Sequence, residues 1–326
     1  MKTKKNLKST KFLWFIAGLL FITLLSQCKK DQLEVSPINS SSSYLSLNDF
    51  FLKQGVKSQF FTIDQSNAND TYITGKNGTK IVIPQNAFVD TFGPIVSDKI
   101  QIELKEILSK SDMILSDQSS SCFGQILESA GEVFIEARVN GKKIQLAEEK
   151  MMEISIPFKT ALYTPYPDMM LYLGDNSNGS FTWFPDADTL FRDHVKADGK
   201  SNTYNIFLGS NEYSWINCAR FYMDRNDRTP LTIKPTFPLS SDTIDSRLFL
   251  VFNDIHSVMN AYMNADHNFF TYKIPIGMNV TLVGIGIGKK KIYFGKKVIT
   301  IKRNHLDNLE FVEASPEAIK KELDGL

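Results

Sequence analysis

The chain has 326 residues, of which 42% are hydrophobic and 12% aromatic, enough apolar material for real cores. It carries 37 Lys+Arg against 36 Asp+Glu, a net charge of +1. Five lysines and no acids lie in residues 1–27, so the remainder is mildly acidic, which argues against nucleic acid as a partner because phosphate binding needs a basic surface.

Residues 1–27 have the three parts of a secretory signal. Lys2, Lys4, Lys5, Lys8 and Lys11 form a basic n-region, and Phe12 to Leu25 is an apolar run without a charge. That run is too short to cross a hydrocarbon layer of about 30 Å as a helix. It ends in Leu24-Leu25-Ser26-Gln27-Cys28, which lacks the small-x-small site of a plain secretory signal. The junction resembles a bacterial lipobox, departing from it at Gln27, where Gly or Ala is usual. The resemblance implies that Cys28 is lipidated and becomes the first residue of an outer-membrane lipoprotein of the cell envelope, leaflet unassigned. Lys29, where an Asp would signal inner-membrane retention in enterobacterial lipoproteins, agrees with that location. The rival is an uncleaved membrane anchor. No later apolar run approaches 18 residues, so no transmembrane span is expected.

Residues 28–58 read as a lipidated tether, with Pro37, Asn39 and Ser40 to Ser43 giving the composition of a flexible spacer. Tyr44 to Lys53 reads either as a short helix or as chain packed on the body. Residues 59–159 read as a β-sandwich module. Thr79 to Ile83 is a β-branched run stopped by Pro84 and preceded by the turn pair Asn77-Gly78. Lys99 to Ile107 alternates apolar and polar residues, the period of a half-buried strand. Glu132 to Val139 alternates likewise up to Asn140-Gly141, and Met151 to Pro157 adds a further strand. Residues 160–238 form a less regular, β-rich middle segment. Residues 239–326 read as a small immunoglobulin- or transthyretin-like sandwich built on Arg247 to Phe252, Asn279 to Ile287, Lys291 to Phe294 and Lys297 to Lys302. A terminal helix follows, with Ser315 as N-cap, Pro316 at its first position and Ile319, Leu323 and Leu326 as its apolar stripe. The expected fold class is all-β: two or three antiparallel β-sandwich domains in tandem, with a flexible N-terminal tether and a short C-terminal helix.

The phrase Gly75 to Phe88 (GKNGTKIVIPQNAF), the strand ending in Glu that follows it, and Gly124 with Gly131 resemble the all-β module shared by tight-junction scaffolds, netrin receptors and ankyrins. The chain is also similar to Bacteroidetes cell-envelope lipoproteins that carry a cousin of this module. In them a run like Ser109 to Ser116 follows the alternating strand, and a "WIN(C)D.F" phrase comes later. Trp215, Ile216, Asn217, Cys218 and Phe221 match that phrase, while Ala219 stands where Asp is typical. The resemblance implies a sandwich that serves protein interaction and says nothing of an activity. Asn217 and Arg220 are candidate binding residues; a turn cap and a surface charge are the plainer readings.

The search for chemistry returns little. Gly284-Ile-Gly-Ile-Gly288-Lys-Lys-Lys291 fits neither G-x-G-x-x-G nor the P-loop pattern and lies between two β runs, so close backbone approach is expected there. His194, His256, His267 and His305 are scattered, with no H-x-x-x-H pair and no G-x-S-x-G elbow. Asp186, Asp188, Asp193 and Asp198, with Asn176 and Asn178 upstream, lack the order of a calcium loop. Cys122 and Cys218 are either one disulfide or two buried thiols. Asp188-Thr189-Leu190 and Asp242-Thr243-Ile244 resemble the D-[ST]-aliphatic acceptor of Bacteroidetes O-glycosylation. No cofactor, metal or catalytic residue is expected. The leading expectation is therefore a lipid-anchored envelope protein with a binding or structural role and a protein or glycan partner. The alternative is a glycan-binding or glycan-degrading accessory lipoprotein that stacks sugars on Trp183 and Trp215, supported by Tyr163, Tyr166, Tyr172, Phe184 and Tyr213.

Overall fold

A computed structural model describes residues 44–64, 69–90, 93–94, 99–158, 166, 168–175, 181–186, 194–210, 214–238 and 244–326. Cys28, the tether serines, Tyr163, Tyr213, Asp188, Asp193 and the acceptor residues Thr189 and Thr243 lie outside the described residues. Strands dominate. The first stretch of chain supplies β1 (Gln59–Asp64), β2 (Thr71–Thr74), β3 (Lys80–Ile83), β4 (Lys99–Ile107), β5 (Gln125–Val139) and β6 (Met152–Pro157). The middle supplies β7 (Met170–Asp175), β8 (Thr182–Pro185), β9 (Val195–Asp198), β10 (Thr203–Leu208) and β11 (Trp215–Phe221). The last supplies β12 (Arg228–Thr236), β13 (Asp245–Phe252), β14 (Ser257–Met263), β15 (Phe269–Pro275), β16 (Asn279–Gly288), β17 (Lys291–Thr300) and β18 (His305–Glu310).

The middle segment completes the first sandwich. One sheet runs β1-β4-β5-β11-β7-β8 and its partner runs β9-β10-β6-β3-β2. Asn217 of β11 stands opposite Glu132 of β5, and Ile206 of β10 opposite Ile154 of β6, all antiparallel. The two sheets share one core in which Ile100, Ile102 and Leu104 meet Ile81, Ile154 and Ile206. Residues on either side of position 160 therefore belong to the same sandwich, because β5 and β6 would otherwise each present an unpaired edge. The period-2 pattern of β4 places Ile100, Ile102 and Leu104 inward, but the next residue on that face is Glu106, fully buried. Its carboxylate accepts from the backbone amides of Asn77 and Thr79, both at 2.9 Å, and from Gln59 Nε2 at 2.7 Å. A Cβ on Gly75 would sit 2.5 Å from that carboxylate. The Gly75–Thr79 turn is thus built around a buried acid.

The third sheet, in the order β18-β12-β15-β14-β13-β16-β17, begins at Arg228, earlier than residue 239. It contains one parallel pair, β12 with β18, among antiparallel neighbours. Lys297 of β17 meets Asp307 of β18 at 2.6 Å and Asn308 O at 3.1 Å, so the sheet rolls until its end strands touch. Both faces are buried at β13 and β16, which explains the unbroken apolar run Leu248 to Phe252. Leu248, Leu250 and Phe252 point into the roll, while Phe249 and Val251 point outward under the helices. Gly284 packs beneath Phe311, whose ring would lie 2.3 Å from a Cβ there, so the glycine run is a close approach within a strand.

Three short helices are found among the described residues: α1 (Leu47–Gln54), α2 (Lys110–Leu115) and α3 (Pro316–Leu323). Each has a serine N-cap, Ser46, Ser109 and Ser315, accepting from the amide three residues on. Helices this short persist only by docking. Phe50 and Phe51 of α1, Met113 and Ile114 of α2, and Ile319 and Leu323 of α3 share one cluster with Phe249, Val251 and Ile285 of the rolled sheet. At roughly 1.5–3 kcal/mol for each fully buried side chain, this cluster welds sandwich and roll together, and residues 42–326 form one compact unit. Among the described residues no helix is long and apolar enough to cross a membrane.

Candidate functional site

A cavity of about 590 Å³ opens where the sandwich meets the rolled sheet. One wall is largely apolar and comes from the sandwich: Phe158, Tyr166, Met169 and Tyr204. The other is charged and comes from the start of α2 and the turn after β13: Lys110, Asp112, Asp254 and His256. Between them lies a β-bulge in β5, where the register with β11 shifts at Cys218/Ala219. Bulges re-aim side chains and occur beside binding sites. Here Ser129 Oγ accepts from Gly131 N at 3.1 Å and donates to Asn217 Oδ1 at 2.7 Å, fixing the bulge. Gly131 itself has φ of +154°, and a Cβ on it would meet Leu108 at 2.7 Å. His256 Nδ1 bonds the carbonyl of Ser129 at 2.7 Å, tying the roll to the same point.

An ion network backs the apolar wall. Glu128, buried, receives Arg220 Nε at 3.0 Å and Nη2 at 2.8 Å. Arg220 Nη1 reaches the exposed Asp168 at 3.2 Å, and the guanidinium lies 3.4 Å above the Tyr166 ring. Tyr204 Oη accepts from the amide of Tyr166 at 2.8 Å. Opposite, Asp112 accepts from Ser109 Oγ at 2.7 Å within the α2 cap. Lys110 Nζ donates to the carbonyl of Phe252 at 2.6 Å and lies 3.5 Å from that of Asn253. Burial holds the Lys110 amine below its ordinary pKa, partly countered by Asp254. Among the described residues no carboxylate forms an ion pair with it.

A second buried acid lies deeper. Glu132 has no exposed surface; Ser120 Oγ donates to its Oε1 at 2.8 Å, and among the described residues no group bonds its Oε2. Burial pushes its carboxyl up to about 7, with the Ser120 bond opposing.

The residues singled out in the sequence fall as follows. Trp183 is fully buried, donates its indole N–H to Ser119 O at 2.9 Å and packs edge-on to Phe181. It offers no ring face to a sugar, which corrects the stacking expectation at that residue. Trp215 is half-buried, with Phe134 and Phe181 against its ring. Tyr172 is core. Asn217 braces the bulge instead of capping a turn, and Arg220 anchors a buried acid instead of standing free on the surface. Cys122 and Cys218 are free thiols buried in separate clusters, and burial raises both. His194 Nδ1 lies 3.0 Å from Asp186, and His305 Nδ1 accepts from Lys302 N. His267 occupies an exposed turn at φ of +58°. Among the described residues no group of three His, Cys, Asp or Glu side chains is placed to hold a metal.

Sequence reading missed Lys110, Glu128 and the bulge as one site. Each left a trace: Ser109-x-x-Asp112 is a capping pattern, and Glu128 interrupts the apolar run Ile126-Leu127 ahead of a glycine. No protein-family model matches the chain, and no curated protein matches it.

Proposed function

We propose that this chain is a lipid-anchored cell-envelope protein, held in the outer membrane through acylated Cys28, which acts by binding or as a structural partner and not by catalysis. The observation that carries this reading is the junction Leu24-Leu25-Ser26-Gln27-Cys28 behind a lysine-rich n-region and an apolar run of signal length. Residues 28–43 then lead to a single compact unit; fully extended they would reach at most about 55 Å. Acyl chains contribute about 0.8 kcal/mol per buried CH₂, so attachment through two or more chains is effectively permanent. Support for binding over catalysis comes from the cavity, where the buried Glu128 is engaged by Arg220 and Asp112 by Ser109.

Metabolic labelling with a clickable palmitate analogue tests the anchor. The wild-type chain is expected to take the label and to lose it in Cys28→Ser. Label retained by Cys28→Ser, or absent from the wild type, refutes the anchoring.

A further inference from the structure

The cavity has one feature that selects a ligand by charge. Lys110 is the cation of its wall, partly buried, with its hydrogen bonds directed to the main-chain carbonyls of Phe252 and Asn253. Carbonyls solvate an ammonium but do not neutralise it, so Lys110 is a partly desolvated charge that Asp254 counters only in part and with no ion pair among the described residues. The other cation nearby, Arg220, is already spent on Glu128 and Asp168. The two acids on the charged wall are less demanding. Asp112 is bonded into the α2 cap, and Asp254 is exposed, where water and salt screen it. Lining the same cavity from the sandwich are Phe158, Met169, Tyr166 and Tyr204, an aromatic and thioether surface. A volume of about 590 Å³ falls within the range of small-molecule sites.

We infer that this cavity binds a small amphipathic carboxylate, its anionic head on Lys110 and its apolar body against Phe158, Met169 and the two tyrosines. This deepens the binding role proposed above by naming the ligand class. It is independent of the lipid anchor, so the palmitate assay and the binding assay fail separately. Bringing a carboxylate to Lys110 adds the direct ion pair that the exposed Asp254 does not make, in a partly water-excluded site where a charge-assisted bond is strongest. Arg220, stacked on Tyr166 and fixed by Glu128, keeps the apolar wall in place without offering its charge to the ligand.

The test uses the full chain in detergent micelles with empty micelles as blank, and two probes sharing one ring: 3-phenylpropionate and 3-phenylpropylamine. Saturation-transfer NMR with competition titration reads binding. Saturable binding of the propionate is expected, with little displacement by the amine. Lys110→Met is expected to weaken the propionate about tenfold or more, the worth of one charge-assisted bond, and Lys110→Arg to keep most of it. Ala130→Trp fills the cavity from the bulge without altering charge and is expected to abolish binding, even if Lys110→Met should fail to fold. No saturable binding of the propionate, an amine that binds as well or better, or full affinity in either Lys110→Met or Ala130→Trp overturns the inference.

Discussion

Glu132 offers the sharpest test of how this fold is held. Its carboxyl is fully buried and receives one hydrogen bond from the chain, from Ser120. Burial raises it from 4.5 to about 7. At 1.36 kcal/mol per unit, that difference amounts to about 3 kcal/mol. The folded chain holds the proton more tightly than the unfolded chain, so the contribution of Glu132 to stability is greatest below pH 4.5, where both states are protonated. Between pH 4.5 and 7 the unfolded chain ionises while the folded chain does not, and stability declines. Above pH 7 both are ionised and the loss levels off at about 3 kcal/mol. Glu132→Gln keeps an acceptor for the Ser120 hydroxyl and cannot ionise. Urea unfolding of the two proteins from pH 4.5 to 8.5 is the assay, since the midpoint reports stability when the slope is unchanged. The variant is expected to gain on the wild type between pH 4.5 and 7, by about 3 kcal/mol, and to hold that gain at higher pH. A stability difference that stays constant with pH, or that shrinks as pH rises, refutes the reasoning, because either means that Glu132 is not a desolvated acid in the fold.

Three other outcomes follow from the same geometry. Arg220→Met leaves Glu128 buried without its cation and is expected to cost about 3–5 kcal/mol, most of it recovered in the double variant with Glu128→Gln; a loss below about 1 kcal/mol would mean the pair behaves like an exposed one. Gly75→Ala drives a Cβ into the Glu106 carboxylate and is expected to cost about 1–3 kcal/mol by urea unfolding; a neutral result would show that the turn can relax away from the acid. Cys122 and Cys218 are expected to ignore Ellman's reagent in the native chain and to react once it is unfolded, since buried thiols with raised pKa values hold little thiolate. Rapid native reactivity of either would contradict its burial.

The strands were legible because period-2 alternation is a local property. Ile100, Ile102 and Leu104 announce their face without reference to any partner. The terminal helix was legible for the same reason, since Ser315, Pro316, Ile319 and Leu323 all lie within one short span. What joins the pieces was not legible. The pairing of Asn217 with Glu132 and of Leu231 with His305 spans long stretches of chain, and long-range pairing leaves no local period to read. The cavity depends on α2, the bulge and the turn after β13 coming together, so none of its residues looks special alone. Trp183 misled for a related reason: aromatic content cannot tell a ring facing water from one that closes a core.

The buried acids mark where this assembly is decided. Glu106 collects the Gly75–Thr79 turn, Glu128 collects Arg220 from β11, and Glu132 takes Ser120 from the stretch that also bonds β14, through Ser120 N and Val258 O. Each carboxylate sits where two segments distant in sequence must meet in one register. Apolar contacts alone would tolerate a shifted strand, since Ile, Val and Leu pack interchangeably over short distances. A buried carboxylate does not tolerate it, because a shift strips its donors and leaves an unpaired group costing several kcal/mol. The acids therefore narrow the number of ways the sandwich and the roll can join, and the desolvated Glu132 does so at the expense of stability at neutral pH. Stripping the polar groups from these joints, as a pair of substitutions at Glu132 and Ser120 to apolar residues of similar size would do, is accordingly expected to raise stability above pH 7 while loosening the seam. Amide exchange in β5 and β14 would read that loosening directly.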